Sequence, residues 1–257
     1  MTTKITQTKT LAKTLEILKS FDDLNTHQKA SEIARKLDLN ISTVSRHLAD
    51  LVNYGFLEYD AGHNCYYLGV AVISLGGIAL NSNDVYKIAY HEVQGLSRKL
   101  DLHACMSILR GTDIIYLFDI CTETSFKLLM PVGYARPAAT AAMGRVMMTD
   151  LTYQSAYSLV AKTKINKMTP YSITAIDEIM EKIDEARETS YSVLVDEIMV
   201  GTSSIATAVR NKKGKIIGAI ALSVESSRLT KEYEKEIVNH LLITATNISA
   251  KLGYFVR

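Results

Sequence analysis

A chain of 257 residues that is 47% hydrophobic and 22% charged has the composition of one large globular domain or two small ones. Its net charge of +2 weighs against a strongly basic nucleic-acid binder, and no uninterrupted run of about 20 apolar residues is long enough to span a membrane. The opening MTTKITQTKT lacks the apolar stretch of a secretory signal, and Cys65, Cys105 and Cys121 are widely spaced without a CxxC pair, so a cytoplasmic protein with reduced thiols is expected.

Thr10 to Leu24 reads as an amphipathic helix with Leu11, Leu15, Leu18 and Phe21 inward, ended by Asp22, Asp23 and Asn25. Lys29 to Asn53 then holds two short amphipathic helices joined by a tight turn. In the first, Ala30, Ile33, Ala34 and Leu37 fall at i, i+3, i+4 and i+7; in the second, Ile41, Val44, Leu48, Leu51 and Val52 form the stripe. Asp38-Leu39-Asn40 between them sets turn and cap residues around one apolar anchor. Ser42, Thr43, Ser45, Arg46 and His47 fall on the face expected to point outward. Short hydroxyls, a cation and an imidazole crowded into two turns are the chemistry of a recognition helix in the major groove. Ser31, near the start of the first helix, is placed to offer a hydroxyl and helix-end amides to a phosphate.

Gly55 to Leu68, GFLEYDAGHNCYYL, reads as a β-hairpin turning at Asp60 to Asn64. After a recognition helix such a hairpin is a wing, with His63 and Asn64 at its tip against the DNA backbone or minor groove; the alternative for these two is a plain surface hairpin. Up to residue 80, eight Lys and Arg balance eight Asp and Glu. Attraction to phosphate must therefore come from local placement, and modest non-specific affinity spread over two subunits is expected.

Gly69 to Asn81, GVAVISLGGIALN, is an apolar linker helix whose side chains need cover from the second domain or another subunit. Asn81 to Asp84 marks the domain boundary and caps a helix over Asp84 to Leu100. Strands follow at His103 to Leu109, Ile114 to Ile120 and Phe126 to Met130. Arg136 to Met148, RPAATAAMGRVMM, is a loop running into a helix, its free amides suited to an anion. Of two further helices, the second has Thr174 and Asp177 in capping-box spacing. Strands return at Tyr191 to Val195, Ser204 to Arg210 and Lys215 to Val224, the last two joined by the turn Asn211 to Gly214. A helix from Thr230 to about Leu252 closes the chain. An antiparallel sheet with helices at its start, middle and end is an α+β domain.

The stretches KTLAKTLEILKSF (9 to 21), SEIARKLDLNISTVSRHLADLVNYGFLEYD (31 to 60), YYLGVAVISLG (66 to 76), RPAATAAMGRVMMTDL (136 to 151) and DEIMVGTSSIATAVRNKKGKIIGAIALSV (196 to 224) resemble the IclR family of bacterial transcription regulators over essentially the whole chain. The resemblance implies a winged helix-turn-helix over residues 1 to 68, a linker helix over 69 to 83 and a GAF-like α/β effector-binding and oligomerisation domain over 84 to 257. It implies a homodimer or homotetramer on a palindromic double-stranded operator, switched by a small effector, often a carboxylate or aromatic metabolite. It further implies a pocket walled by the loop matching Ala138 to Gly144 and by strand residues matching Ser204 and Ser223, with Thr140, Gly144, Ser204 and Ser223 as effector contacts. Two departures stand out. Leu194 falls where some relatives have an acidic residue, which makes the pocket less polar, and residues 190 and 191 read Ser-Tyr rather than Gly-Tyr.

The competing readings are a metabolite-binding enzyme and a protein-interaction module with a winged-helix accessory domain. No GxSxG elbow, GxGxxG after a strand or GxxxxGK[ST] is present, so no catalytic residues and no cofactor are expected. His63 with Cys65, and His103 with Cys105, are spaced to share a strand face, yet no third or fourth ligand is evident in the sequence, so no metal site is expected.

Overall fold

The computed structural model describes residues 9–22, 24–123 and 130–255, and contacts divide it into two compact units that meet between Ser82 and Asn83. The first unit contains α1 (Lys9–Lys19), α2 (Ala30–Leu37), α3 (Ile41–Asn53), the hairpin β1 (Leu57–Asp60) and β2 (Cys65–Leu68), and α4 (Val70–Asn81). Its core gathers Ile17, Ile33, Val44, Leu48 and Leu57, all essentially inaccessible to solvent. Each such side chain contributes roughly 1.5–3 kcal/mol by leaving water.

Local chemistry sets the turn between α2 and α3. Asp38 adopts φ 51°, the left-handed conformation that ends a helix. Asn40 then caps α3, its side-chain oxygen accepting from the Ser42 amide at 2.9 Å. At the start of α2 the Glu32 carboxylate reaches back to the Lys29 amide at 2.7 Å. The main chain of Gln28 exchanges two hydrogen bonds with Tyr66, adding a bridge to the two-stranded wing.

The inward face of α1 matches expectation at Leu18 and Phe21, which join the core, and departs from it elsewhere. Ile17 and Phe21 are buried, whereas Leu11 and Leu15 are 59% and 51% exposed. The three-helix core meets the Thr14, Ile17 and Phe21 side of the helix, about a third of a turn from the leucine stripe. Ile41 is also half exposed, because the first turn of α3 projects beyond that core.

The second unit contains α5 (Asp84–Leu100), β3 (His103–Arg110), β4 (Asp113–Ile120), β5 (Ala135–Pro137), α6 (Ala142–Met148), α7 (Tyr153–Lys162), α8 (Ile176–Thr189), β6 (Tyr191–Val195), β7 (Thr202–Arg210), β8 (Ile216–Glu225) and α9 (Lys231–Lys251). Six strands form one antiparallel sheet in the order β5-β4-β3-β8-β7-β6. Helices α5 and α9 pack on each other and on the sheet, while α6 and α8 form a second helical pair against it. Sheet alternation places Cys105, Ala206 and Ala221 in the cluster shared with α6, and their strand neighbours Ala104, Ile205 and Leu222 outside that cluster.

Three expectations need amendment here. The strand Phe126 to Met130 falls on residues outside those described, apart from Met130, which lies in no strand. Ala135–Pro137, read as loop, forms the sheet edge, a position where proline's missing donor costs no ladder bond. Finally, α8 starts at Ile176 with Ala175 at its cap position and no side-chain cap, so Thr174 and Asp177 do not form the expected box.

Two glycines mark close approaches. A Cβ on Gly69 would lie 2.3 Å from the Gly55 carbonyl oxygen, and one on Gly144 would lie 2.0 Å from the carbonyl oxygen of Ala138. Both contacts are with backbone and cannot be relieved by a rotamer change. Gly69→Ala is expected to destabilise the first unit by about 1–3 kcal/mol, read as a lower urea midpoint at unchanged slope; a midpoint equal to wild type would show that the two segments are not this close.

Candidate nucleic-acid interface and effector pocket

On the first unit, α3 presents Ser42, Ser45 and Arg46 to solvent, with Thr43 half-buried. Ser31 is exposed in the first turn of α2. The Ser42 hydroxyl donates to the Asn40 side chain at 2.8 Å, which fixes its direction at the helix start. His47 does not join this surface. It is 2% exposed, and its Nδ1 lies 3.0 Å from the Thr14 hydroxyl of α1. The spacing already held this answer: Val44, His47, Leu48 and Leu51 fall at i, i+3, i+4 and i+7. A polar ring was assigned to the polar face when its position belonged to the apolar one.

The wing tip is pre-arranged by its own side chains. Asp60 accepts from the amides of Gly62 and His63, and its other oxygen lies 2.6 Å from His63 Nδ1. The His63 hydrogen bond holds the Asp60 carboxyl below its ordinary value. Asn64 takes φ 52° and accepts from the Tyr59 hydroxyl at 2.9 Å. His63 and Asn64 are both exposed.

On the second unit, a cavity of about 30 Å³ lies between the small-residue face of the sheet and the loop into α6, room for about two water molecules. Its polar lining is Ser204 and Ser223, which face each other across β7 and β8, together with Thr202 and Arg136. The Thr202 hydroxyl is buried and without a partner among the described residues. Arg136 has no carboxylate partner among them; its guanidinium lies 5.9 Å from the Tyr134 ring centroid. The apolar lining includes Met130, Met143, Met199 and Leu194. Burial pushes the Cys105 thiol and the Tyr116 hydroxyl well above their ordinary values, with further upward contributions from Asp119. Both therefore stay neutral at pH 7, and Arg136 is the charged group of the cavity wall.

Thr140 and Gly144 do not line this cavity. The Thr140 hydroxyl donates to the Pro137 carbonyl at 3.0 Å and faces a neighbouring cleft shared with Arg136 and Lys164. Gly144 is a packing residue, its amide expected at a pocket wall but its place taken up by the approach to Ala138. Arg136 and Thr202 are not singled out as pocket residues by the sequence, and Cys105 only as a strand-face neighbour of His103. The available signal was a cation beside proline at the head of the small-residue loop, and the period-two relation between Thr202 and Ser204.

Both walls are pinned by Arg145. Its guanidinium is fully buried, grips Glu197 through two bonds of 2.9 and 2.7 Å, and donates to the Ala139 carbonyl at 3.2 Å. Beside Glu197, the main-chain carbonyls of residues 196 and 197 accept from Thr169 and Ser172.

A winged helix-turn-helix followed by a separate pocket-bearing α+β unit defines a transcription regulator with a DNA-binding and an effector-binding domain. Residues 10–61 match the IclR helix-turn-helix domain and residues 77–250 match the family described as bacterial transcriptional regulator IclR C-terminal. The chain belongs to the IclR family of bacterial transcription regulators, and neither matching family is one of enzymes. Among its relatives, the HTH-type transcriptional repressor AllR of Escherichia coli K12 is 25% identical over 246 residues, covering 95% of this chain and 90% of AllR. A putative transcriptional regulator from Rhodococcus sp. RHA1 superposes with TM-score 0.80 at 29% identity over 96% of this chain and 98% of that one. An IclR transcriptional regulator from Alicyclobacillus acidocaldarius gives TM-score 0.84 at 27% identity over 95% and 98%.

Arg145→Met leaves the Glu197 carboxylate buried without its partner and is expected to cost roughly 3–5 kcal/mol. The double substitution Arg145→Met with Glu197→Leu should recover most of that loss. Thermal or urea unfolding of the three proteins decides it: a double variant as unstable as the single one would show that the pair acts by more than mutual neutralisation.

Proposed function

We propose that the chain represses or activates transcription as a homodimer or homotetramer on a palindromic operator, with its affinity set by a small metabolite. The observation that carries this reading is the exposed row Ser42, Ser45 and Arg46 at the start of α3, beside half-buried Thr43. Arg46 is the group for a bidentate contact to guanine, and the hydroxyls serve base edges and phosphates. Ser31 approaches the backbone from α2, and His63 and Asn64 extend the contact through the wing. A near-neutral first unit then makes a second copy useful, since two half-sites double the phosphate contacts. Exposed apolar side chains support self-association: Leu11 and Leu15 on α1, and Ile73, Leu75 and Ile78 on α4. No described helix is long and apolar enough to cross a membrane, in keeping with a cytoplasmic regulator.

The effector reading rests on the cavity. Arg136 with the hydroxyls of Thr202, Ser204 and Ser223 fits a carboxylate or a hydroxylated ring, and Leu194 with the methionines fits its apolar body. Because the empty cavity is so small, an effector must displace lining side chains, and methionines yield more readily than branched residues. We assign the linker helix, Gly69 to Asn81, as the element through which the ligand shifts operator affinity.

The direct test is operator affinity, measured by mobility shift on the DNA upstream of the chain's own gene. Arg46→Ala should weaken binding by about 1–3 kcal/mol, roughly 5- to 150-fold, with unchanged unfolding temperature. Unchanged operator affinity in that variant removes α3 as the reading element.

A further inference from the structure

Sheet register brings together residues that are distant in sequence on the pocket side of the second unit. Cys105 pairs with Asp119 across β3 and β4, and Ala104 with Ile120. By alternation, His103, Cys105, Asp119 and Cys121 then project from the same face. His103 Nε2 is in close contact with the Asp119 carboxylate, and the other Asp119 oxygen lies 3.9 Å from the Cys121 sulfur. One ligand-type atom from each of His103, Asp119 and Cys121 lies within 4.8 Å of the others.

We propose that His103, Asp119 and Cys121 bind a borderline-soft divalent transition metal, zinc being the ion whose chemistry fits best. Imidazole, carboxylate and thiolate are the three ligand types zinc accepts. Tetrahedral zinc with bonds of about 2.0–2.3 Å holds its ligands roughly 3.3–3.8 Å apart, so the cluster needs only a small contraction. The accessibility gradient also fits: His103 is buried, Asp119 half-buried and Cys121 exposed, which leaves an entry path from solvent and a fourth position for water or an anion.

His103 is the buried member of the cluster. His103 is 1% exposed, and its Nδ1 has no hydrogen-bond partner among the described residues. Its one polar contact among them runs from Nε2 to Asp119, which makes Nε2 the ring atom that faces the cluster. The site also adjoins the cavity. The Met130 amide donates to the Asp119 carboxylate at 3.4 Å, Met130 lines the cavity, and Ser223 is the register partner of His103. A metal drawing on Asp119 would therefore act on the cavity wall.

The test titrates the chelator-treated full chain with cobalt chloride and then zinc chloride. The proposal predicts a near-ultraviolet thiolate-to-cobalt band, bleached by one equivalent of zinc per chain, and slower alkylation of Cys121 by iodoacetamide once zinc is present. Cys121→Ser, a substitution at an exposed position, should lose the band and bind zinc more than about 100-fold more weakly, beyond the effect of losing an outer-shell partner, with an unchanged circular dichroism spectrum. Asp119→Asn should weaken zinc binding as well. Absence of the band and of zinc uptake in the wild-type chain overturns the proposal, and so does a Cys121→Ser protein that retains both.

Discussion

The second unit depends on one fully buried guanidinium. Arg145 sits at the back of α6, joined to Glu197 on one side and the Ala139 carbonyl on the other. A buried charge is tolerated only when paired and hydrogen-bonded, so this arginine dictates where two separate loops must lie. Those loops are the ones that close the cavity: the turn from Pro137 into α6, and the turn between β6 and β7 that carries Ile198 and Met199. The sheet supplies the other wall. Alanines, serines and Cys105 on its inner face keep the surface low where α6 packs, and Gly144 of that helix can bear no side chain because the Ala138 backbone lies against it.

The cavity, with room for only a couple of waters, is bordered by methionines and by loops held through the Arg145–Glu197 pair and the Thr169 and Ser172 hydroxyls. Its hydroxyl and guanidinium groups converge from three elements, the edge strand β5 at Arg136 and the strands β7 and β8. Any ligand larger than a couple of waters would have to displace lining side chains, Met130, Met143 and Met199 among them.

How much of this the sequence carried depended on whether the information was local. Helical periodicity, the Asp38-Leu39-Asn40 turn, the wing and the hairpin Asn211 to Gly214 were legible because each is fixed by residues a few positions apart. Where two local signals conflicted, the wrong one was followed: His47 was sorted by polarity when spacing had placed it beside Val44, Leu48 and Leu51. Leu11 and Leu15 of α1 fall outside the core for a different reason, since periodicity cannot say which of two apolar faces a core will use. Ser204 and Ser223 reach the cavity, and they were placed by resemblance rather than by pattern. Arg136 and Thr202 were not found at all, because a pocket is a meeting of separate elements. The same holds for His103: its spacing pointed to Cys105, while strand register supplies Asp119 and Cys121.

The central claim is that α3 enters the major groove of operator DNA. It is tested most directly by dimethyl sulfate protection, which reads guanine N7 in that groove. The account predicts protected guanines in two symmetric half-sites whose centres are separated by about one helical turn, or a multiple of it. Specific binding without any protection of guanine N7 in a G-containing half-site, or protection confined to adenine N3 in the minor groove, would contradict it.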